Sequence, residues 1–546
     1  MQMSLFDLPN ELYFIIAQHL PDHASRSALM RTDRRRYNLL REYIYDQISG
    51  NEKNETLNWA AKHGFENVVR AMLRRGGDIR VDRHSYLDNW DRQPHPRQWI
   101  FMALEDAARN GHARILKLLL DHQPSALNMR SGYNDSPLVK AAANGHSEAV
   151  MVLLDHSANI PSNAINELGI GPPSSFDFSN ALRQALQEGR EEIVKILLAD
   201  GRVKLDGQSL ASAAWGGNES LVELCLREAP PWPPKSGYNS PLGAAAHQGH
   251  EAVFKMILSS DGVDPNMRDN SLRTPLSVAV QSGNSNITKI LLETPGVELD
   301  PKENSGATPL LHAAGKGDTE LVQYLLATGA VEVDSKGSCD FTPLFAAASN
   351  GHEKIVSMLI AAGADPDHRE SYGRTALGSA AFFGAGKVVK VLLETGRVDP
   401  SSRDRPKMTP LIQAARSGRF LGRPDDFVRD KAYEQETEKI IIPLLRGEKV
   451  ATSVASRLPL ELDTMQDTST REALSVMEQL LALDEVDPNA QDSTGRTALS
   501  HAAEMHEVDA VRILVEDRRV DVNLADNDGW TPMNWIKKKV KPCRWN

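Results

Sequence analysis

Cysteine is scarce. Cys225, Cys339 and Cys543 are the only three in 546 residues, odd in number and without C-x-x-C spacing. This argues against a disulfide framework and a cysteine-rich zinc site, and it suits a reducing compartment. Aromatic residues make up 6% of the chain. No apolar run approaches the roughly 18 residues of a membrane span, so none is expected. The start, Met1 to Pro9, lacks a basic segment followed by an apolar one, so no secretory signal is expected. The sequons at Asn54, Asn134, Asn218 and Asn286 then read as chance matches. Basic residues number 62 against 73 acidic, a net charge of −11. With no basic excess to neutralise phosphates, nucleic acid is a poor default partner. Glycine and proline, 37 and 30, are near average, so broad disorder is not expected.

What the chain does have is self-similarity. Thr274-Pro275-Leu276, Thr308-Pro309-Leu310, Thr342-Pro343-Leu344, Thr375-Ala376-Leu377 and Thr409-Pro410-Leu411 recur with leucines 34, 34, 33 and 34 residues apart. Ser240-Pro241-Leu242 precedes them by the same step, and Thr497-Ala498-Leu499 and Thr531-Pro532-Met533 follow, again 34 apart. Looser copies begin at Thr56, Ala103, Ser136, Ala181 and Ser209. Threonine is a good N-cap, and proline is tolerated at the first helical position, where its missing N–H costs nothing. A short alanine-rich helix follows. Gly145, Gly249, Gly283, Gly317 and Gly351 end it where a left-handed residue is wanted. A second helix carries an apolar stripe such as Ile193, Val194, Ile196, Leu197 and Leu198, and an Asp/Asn-rich turn closes the unit. One unit cannot bury its own apolar face; stacked units can.

On these residues the chain resembles the ankyrin-repeat family, whose period is about 33 residues and whose signature is T-P-L-H-x-A. Thr308 to Ala314 and Thr497 to Ala503 are close copies. The resemblance implies an all-α fold, a solenoid of helix-turn-helix units with short hairpin-like turns. It covers residues 55–419, about ten repeats, and 471–546. Spacing departs from the period in four places. Extra chain is expected near 84–98 and 160–177, and Pro230-Pro231-Trp232-Pro233-Pro234 reads as a stiff extended segment. Leu411 to Leu499 is 88 residues, which fits one repeat with 54 extra residues or two with 20. The insertion, residues 420–470, is expected to hold an amphipathic helix near 434–445 and then a polar, mobile loop, where the array bends or splits.

Residues 4–50 do not fit the repeat. They open Leu8-Pro9-Asn10-Glu11-Leu12, continue with Ile15, Ile16 and Leu20, break at Pro21, and end in Arg34-Arg35-Arg36-Tyr37 and Leu39-Leu40. Three short helices are the simplest reading, with positions 12, 15, 16 and 20 on one face. The pattern resembles an F-box, although Tyr37 stands where many F-boxes carry Trp, and the cysteine common in that region is absent. F-box proteins with long ankyrin arrays are familiar in filamentous fungi. The resemblance implies docking on the Skp-type adaptor, and so on the cullin ligase core, through Leu8, Pro9, Leu12, Ile15, Ile16 and Leu20. The alternative is a capping unit that packs these residues on the first repeat.

Histidines number 16, but their placement is periodic. His112, His146, His250 and His352 each follow the glycine that ends a first helix, and His312 and His501 share one slot after Thr-x-Leu-x. Such recurrence reads as structural, because ligands 34 residues apart have no cysteine or carboxylate cluster beside them. Gly384-Ala385-Gly386-Lys387 lacks the full phosphate-loop frame and follows a helix, so it reads as a helix-ending turn. No catalytic residue, metal or cofactor is expected, and the chain is read as non-enzymatic.

The resemblance also implies that partners bind the turn tips and the exposed positions of the first helix, on the concave side. In register these are the residues before each Thr and the two before each Gly. Arg273, Gln281, Ser282, Ala307, Gly315 and Lys316 are bland. Then come Phe341; Tyr372, Arg374, Phe382 and Phe383; and Lys407, Met408 and Arg416. Aromatics and arginine are common interface anchors, so Phe341, Tyr372, Arg374, Phe382, Phe383, Lys407 and Met408 form the candidate patch. The competing reading has Phe382 and Phe383 filling gaps between helices. Trp530 and Asp528 are a weaker second candidate. The expected function is a substrate receptor of a ubiquitin ligase, binding an unidentified protein but no nucleic acid or membrane. The alternative is a plain scaffold, or a regulator of a transcription factor or enzyme. The expected location is the cytoplasm, with the Lys537 to Lys541 run leaving the nucleus open.

Overall fold

The computed structural model describes residues 50–74, 96–123, 136–158, 175–228, 240–416, 431–447 and 468–537. The segment expected to be trihelical lies outside them except for Gly50, as do most of 84–98 and 160–177, the Pro230 to Pro234 stretch, and the loop expected after residue 445. Among the described residues there are 26 α-helices, one short 3-10 turn at Ser338–Asp340, and no strand. The described residues fall into two compact units, one of those up to 245 with 252–263, the other of 246–251 with those from 264 onward.

In the first unit the helices alternate between an inner and an outer row. They are α1 (Gly50–His63), α2 (Glu66–Arg74), α3 (Pro96–Arg109), α4 (Ala113–His122), α5 (Pro137–Ala143), α6 (Ser147–Ala158), α7 (Ser175–Gln187), α8 (Glu191–Asp200), α9 (Gly207–Gly216) and α10 (Glu219–Glu228). The inner helices α1, α3, α5, α7 and α9 each pack on the next, and α2, α4, α6 and α8 do the same in the outer row. The chain then passes through α11 (Pro241–Gln248) and α12 (Glu251–Leu258). The second unit continues with α13 (Pro275–Ser282), α14 (Ser285–Glu293), α15 (Pro309–Lys316), α16 (Thr319–Ala327), α17 (Pro343–Ser349), α18 (Glu353–Ala361), α19 (Ala376–Phe382), α20 (Gly386–Glu394) and α21 (Pro410–Ala415). It ends with α22 (Lys431–Leu445), α23 (Thr468–Leu481), α24 (Ala498–Glu504), α25 (Val508–Glu516) and α26 (Pro532–Ile536).

Each inner helix starts as its sequence dictates. Thr274, Thr308, Thr342, Thr375, Thr409 and Thr497 hold extended backbone, and each Oγ1 accepts from the N–H three residues on. The leucine two residues later is buried throughout, from Leu276 to Leu499. Burying each such side chain contributes roughly 2–3 kcal/mol. The stop is equally local. Gly317 ends α15 at φ +82, and a Cβ there would meet the His352 imidazole at 2.6 Å. The glycine therefore answers both a left-handed backbone and the close approach of the next repeat.

That approach is a repeated device. His352 Nε2 donates to the Gly315 carbonyl at 3.2 Å, His112 Nε2 to that of Lys62 at 3.2 Å, and His146 Nε2 to that of Arg109 at 2.9 Å. Asn284 reaches back in the same way from its Nδ2 to the carbonyls of Ala246 and His247. Carbonyls at the end of an inner helix have no partner within it, and at these joints the next repeat supplies one. His112, His146 and His352 are thus inter-repeat clips. Gly384, at φ +70, ends α19, and Gly386 opens α20, so that glycine pair is a turn between the helices of one repeat.

The turn tips are joined as well. In each tip an acidic residue or glycine donates its N–H to the carbonyl four residues on, as in Glu370 to Arg374 at 3.0 Å and Asp404 to Met408 at 3.2 Å. One backbone bond then links successive tips: Asn304 to Ser271, Ser371 to Cys339, Arg405 to Tyr372, Ser493 to Pro406 and Asn527 to Thr494, all at 3.0 Å or less.

The 88-residue spacing between Leu411 and Leu499 is one repeat carrying 54 extra residues, because the inner helix α21 packs on α23 and α24. The extra chain lies between the two helices of a single repeat. The outer row runs α18, α20, α23, α25 and ends on α22, which packs on α25 and also touches α26. Helix α22 therefore occupies the last outer position, although it comes earlier in sequence than the helices it covers. Its buried residues Thr437, Ile440, Ile441 and Leu445 share one face, and buried Thr437 Oγ1 is 3.1 Å from His506 Nδ1.

Two predictions follow from this packing. Thr308 Oγ1 caps α15 and lies 3.0 Å from Ser335 Oγ in the next turn. Thr308→Ala is expected to cost about 1–2 kcal/mol in urea unfolding, with Thr308→Ser restoring most of it; an unchanged midpoint would show the cap to be idle. Ile441→Asp is expected to detach α22 and speed hydrogen exchange over Val508–Glu516 while Pro309–Lys316 keeps its rate. Unaltered exchange at both helices would rule α22 out as the terminal cover.

Candidate functional site

The tips set the electrostatics of the face they share with the inner helices. At the base of most tips a carboxylate turns inward. Glu303 accepts from His312 Nε2 at 3.0 Å, Asp404 from Gln413 Nε2 at 2.9 Å, Asp492 from His501 Nε2 at 2.9 Å and Asp526 from Trp535 Nε1 at 2.8 Å. In every case the donor sits nine residues on, along the inner helix. Asp269 and Glu370 instead accept from the arginine four residues on, and the tip at Gly337 has no acid in this slot. Glu370 Oε1 accepts from the backbone N–H and Nε of Arg374, and its Oε2 is buried with no hydrogen-bond partner among the described residues. Glu370 itself is 3% exposed. The acids at the base of these tips thus point into the protein, while Arg405 and Lys407 are exposed.

Around Arg374 the structure gathers several of the residues singled out in the sequence. Phe341 stacks on Phe345 with ring centres 4.7 Å apart. The Arg374 guanidinium lies 5.8 Å from the Phe341 ring, 5.7 Å from Phe345 and 5.8 Å from Tyr372. Tyr372 is 52% exposed, and the Arg405 guanidinium lies 5.6 Å from its ring. On the next turn Lys407 is exposed at φ +61, and half-buried Met408 places its sulfur against Arg416 Nη1. Burial raises the pKa of Asp404, against the opposing effects of the Met408 N–H, Gln413, Arg374 and Arg416. Arg374 and Arg416 therefore act on the same buried carboxylate from successive repeats. Phe382 and Phe383 pack edge to face, 5.1 Å apart, at the end of α19; Phe383 is 43% exposed and Phe382 half-buried.

Arg405 and Phe345 belong to this group but were not singled out by register. Arg405 is one residue beyond the acid of its turn, whereas Tyr372 is two beyond, so a fixed slot misses it. Phe345 sits on the buried side of α17 and supports the face from beneath. The second candidate, Trp530, packs on Trp535 with centres 5.1 Å apart, and Arg496 covers the Trp535 ring at 3.8 Å.

The described residues include no group of three or more histidine, cysteine or carboxylate side chains placed to hold a metal ion. No described helix is long and apolar enough to cross a membrane. The most perturbed acid–histidine pair, Asp492 and His501, is a buried clamp. Burial lowers the pKa of His501; the Asp492 hydrogen bond opposes it, and the charges of Arg496 and Arg416 reinforce it. Burial works to raise the pKa of Asp492, but bonds from His501, Thr494 and Arg496 outweigh it and hold the carboxyl well below its usual range. A depressed histidine contributes stability that is complete above its unfolded value, about 6.5, and lost as pH falls through the folded one. The unfolding midpoint is expected to drop between about pH 7.5 and 5.5, and to drop less in His501→Gln; equal slopes in both chains would remove His501 as the cause.

No curated protein matches the chain. A family model described as ankyrin repeats (3 copies) matches residues 104–209, 210–303, 295–370 and 467–536, more than half of the chain. The helices opened by Thr375 and Thr409 lie outside those spans, yet they share the caps, tip bonds and inner-row packing of their neighbours. With the family match and this stacking in agreement, the chain belongs to the ankyrin-repeat family.

Proposed function

We propose that this chain is a non-catalytic adaptor that captures a protein on the face around Arg374 and delivers it, through residues 4–50, to a Skp–cullin ubiquitin ligase. Ankyrin repeats indicate protein partners, and the observation that carries the capture half is the grouping of Phe341, Tyr372, Arg374 and Arg405 on an otherwise aromatic-poor chain. Exposed aromatic rings held by arginines supply large contact area at low conformational cost. The delivery half is supported by the F-box-like run Leu8, Pro9, Leu12, Ile15, Ile16 and Leu20, which lies outside the described residues.

The two halves separate experimentally. The full chain is expected to co-purify with recombinant Skp adaptor, and Leu8→Ala with Pro9→Ala to abolish this. Failure of the wild-type chain to bind the adaptor would leave an interaction scaffold without a ligase. For capture, proximity labelling with the wild-type chain is expected to mark proteins that are lost in Tyr372→Ala/Phe383→Ala at an unchanged melting temperature. An identical labelled set from both chains would move the binding face elsewhere.

A further inference from the structure

The two turns at the centre of this face carry one sign of charge outward. Arg374, Arg403, Arg405 and Lys407 come from residues 370–374 and 403–408, and Arg416 stands at the end of α21 behind them. The two acids of the same turns, Glu370 and Asp404, are both buried. Arg405 and Lys407 are exposed, and neither has a carboxylate partner among the described residues. The nearest exposed acid on the preceding tip, Asp340, accepts from Ser371 Oγ at 2.7 Å. Arg374 is paired with Glu370 as Arg273 is with Asp269 and Arg496 with Glu504, so the outward charge without such a pair sits on Arg405 and Lys407. The whole chain meanwhile carries −11.

From this charge complementarity we infer that the face takes an extended acidic segment of a partner protein, its carboxylates on Arg405 and Lys407 and its apolar side chains against Tyr372 and, at the far end of α19, Phe383. The inference rests on the capture reading above and specifies its chemistry. An acidic segment is repelled by most of the chain and attracted here, so the field both steers it and sets its register. Arginine and lysine held beside aromatic rings suit a ligand that alternates carboxylates with aromatic or aliphatic groups. A nucleic acid fits less well, because five bases on an acidic protein neutralise few phosphates.

The test pans a random twelve-residue peptide library on the immobilised full chain and resynthesises the enriched peptides with a fluorescein label. Acidic peptides carrying an aromatic or aliphatic residue are expected. Their affinity is expected to fall about tenfold or more in Arg405→Glu/Lys407→Glu and severalfold between low and high salt. Enrichment of neutral or basic peptides, absence of enrichment, or equally tight binding of fluorescein-labelled oligouridylate would overturn the inference. Acidic peptides that ignore the charge reversal but are lost in Tyr372→Ala/Phe383→Ala would also overturn it, while leaving the capture face in place. Peptides that ignore both variants would remove the face as well. Matching thermal melts for the variants exclude unfolding as the cause.

Discussion

A helix pair of about twenty residues cannot hide its own apolar stripe, and every other feature of this chain answers that constraint. The inner helices are short and rich in alanine because neighbours must approach closely. Gly64, Gly111, Gly249 and Gly317 are fixed twice over, by a left-handed backbone and by an imidazole or amide arriving from the next repeat. The same arriving side chain satisfies a helix-end carbonyl, so at these joints one residue closes both packing and hydrogen bonding. Stability in such a stack is a sum of units and interfaces, so the end of a row is its weak point. Helix α22, carried by an insertion within the repeat opened by Thr409, covers that point in the second unit.

The repeat was legible because its signals are local. A threonine cap, a proline at the first helical position, a leucine and a glycine each act within a few residues, and their recurrence marks every unit. The placement of α22 was not legible. Its apolar face at Thr437, Ile440, Ile441 and Leu445 marks an amphipathic helix, but no local pattern says that the face covers α25, some seventy residues away. The meaning of the 88-residue gap was hidden for the same reason: counting cannot tell whether extra chain lies between repeats or inside one. For the candidate face, register found Tyr372 and Arg374 because they occupy fixed slots before a capping threonine. It missed Arg405, whose position depends on the conformation of its own turn, and it treated Phe341 and Met408 as open when each leans on a neighbour.

Burial of the tip carboxylates links fold to function. At most turns an acid at the base closes the hairpin-like loop, and at Glu303, Asp404, Asp492 and Asp526 it also clamps the inner helix nine residues on. Drawing that charge inward leaves the arginines and lysines of the same turns to define the outer surface. Where the turns also carry an exposed aromatic ring, at Tyr372, an acidic chain acquires a cationic, apolar patch, with Phe383 exposed at the end of α19. Recognition there uses residues that the stack leaves over, so specificity can vary without disturbing the helices beneath.

The most direct measurement is hydrogen exchange on the full chain, alone and with a partner identified by proximity labelling. A partner held on this face is predicted to slow exchange in the turns 370–374 and 403–408 and at the end of α19, with little change in the turns near Arg273 and Trp530. Protection confined to other turns, or to the outer helices, would contradict a binding face centred on Arg374.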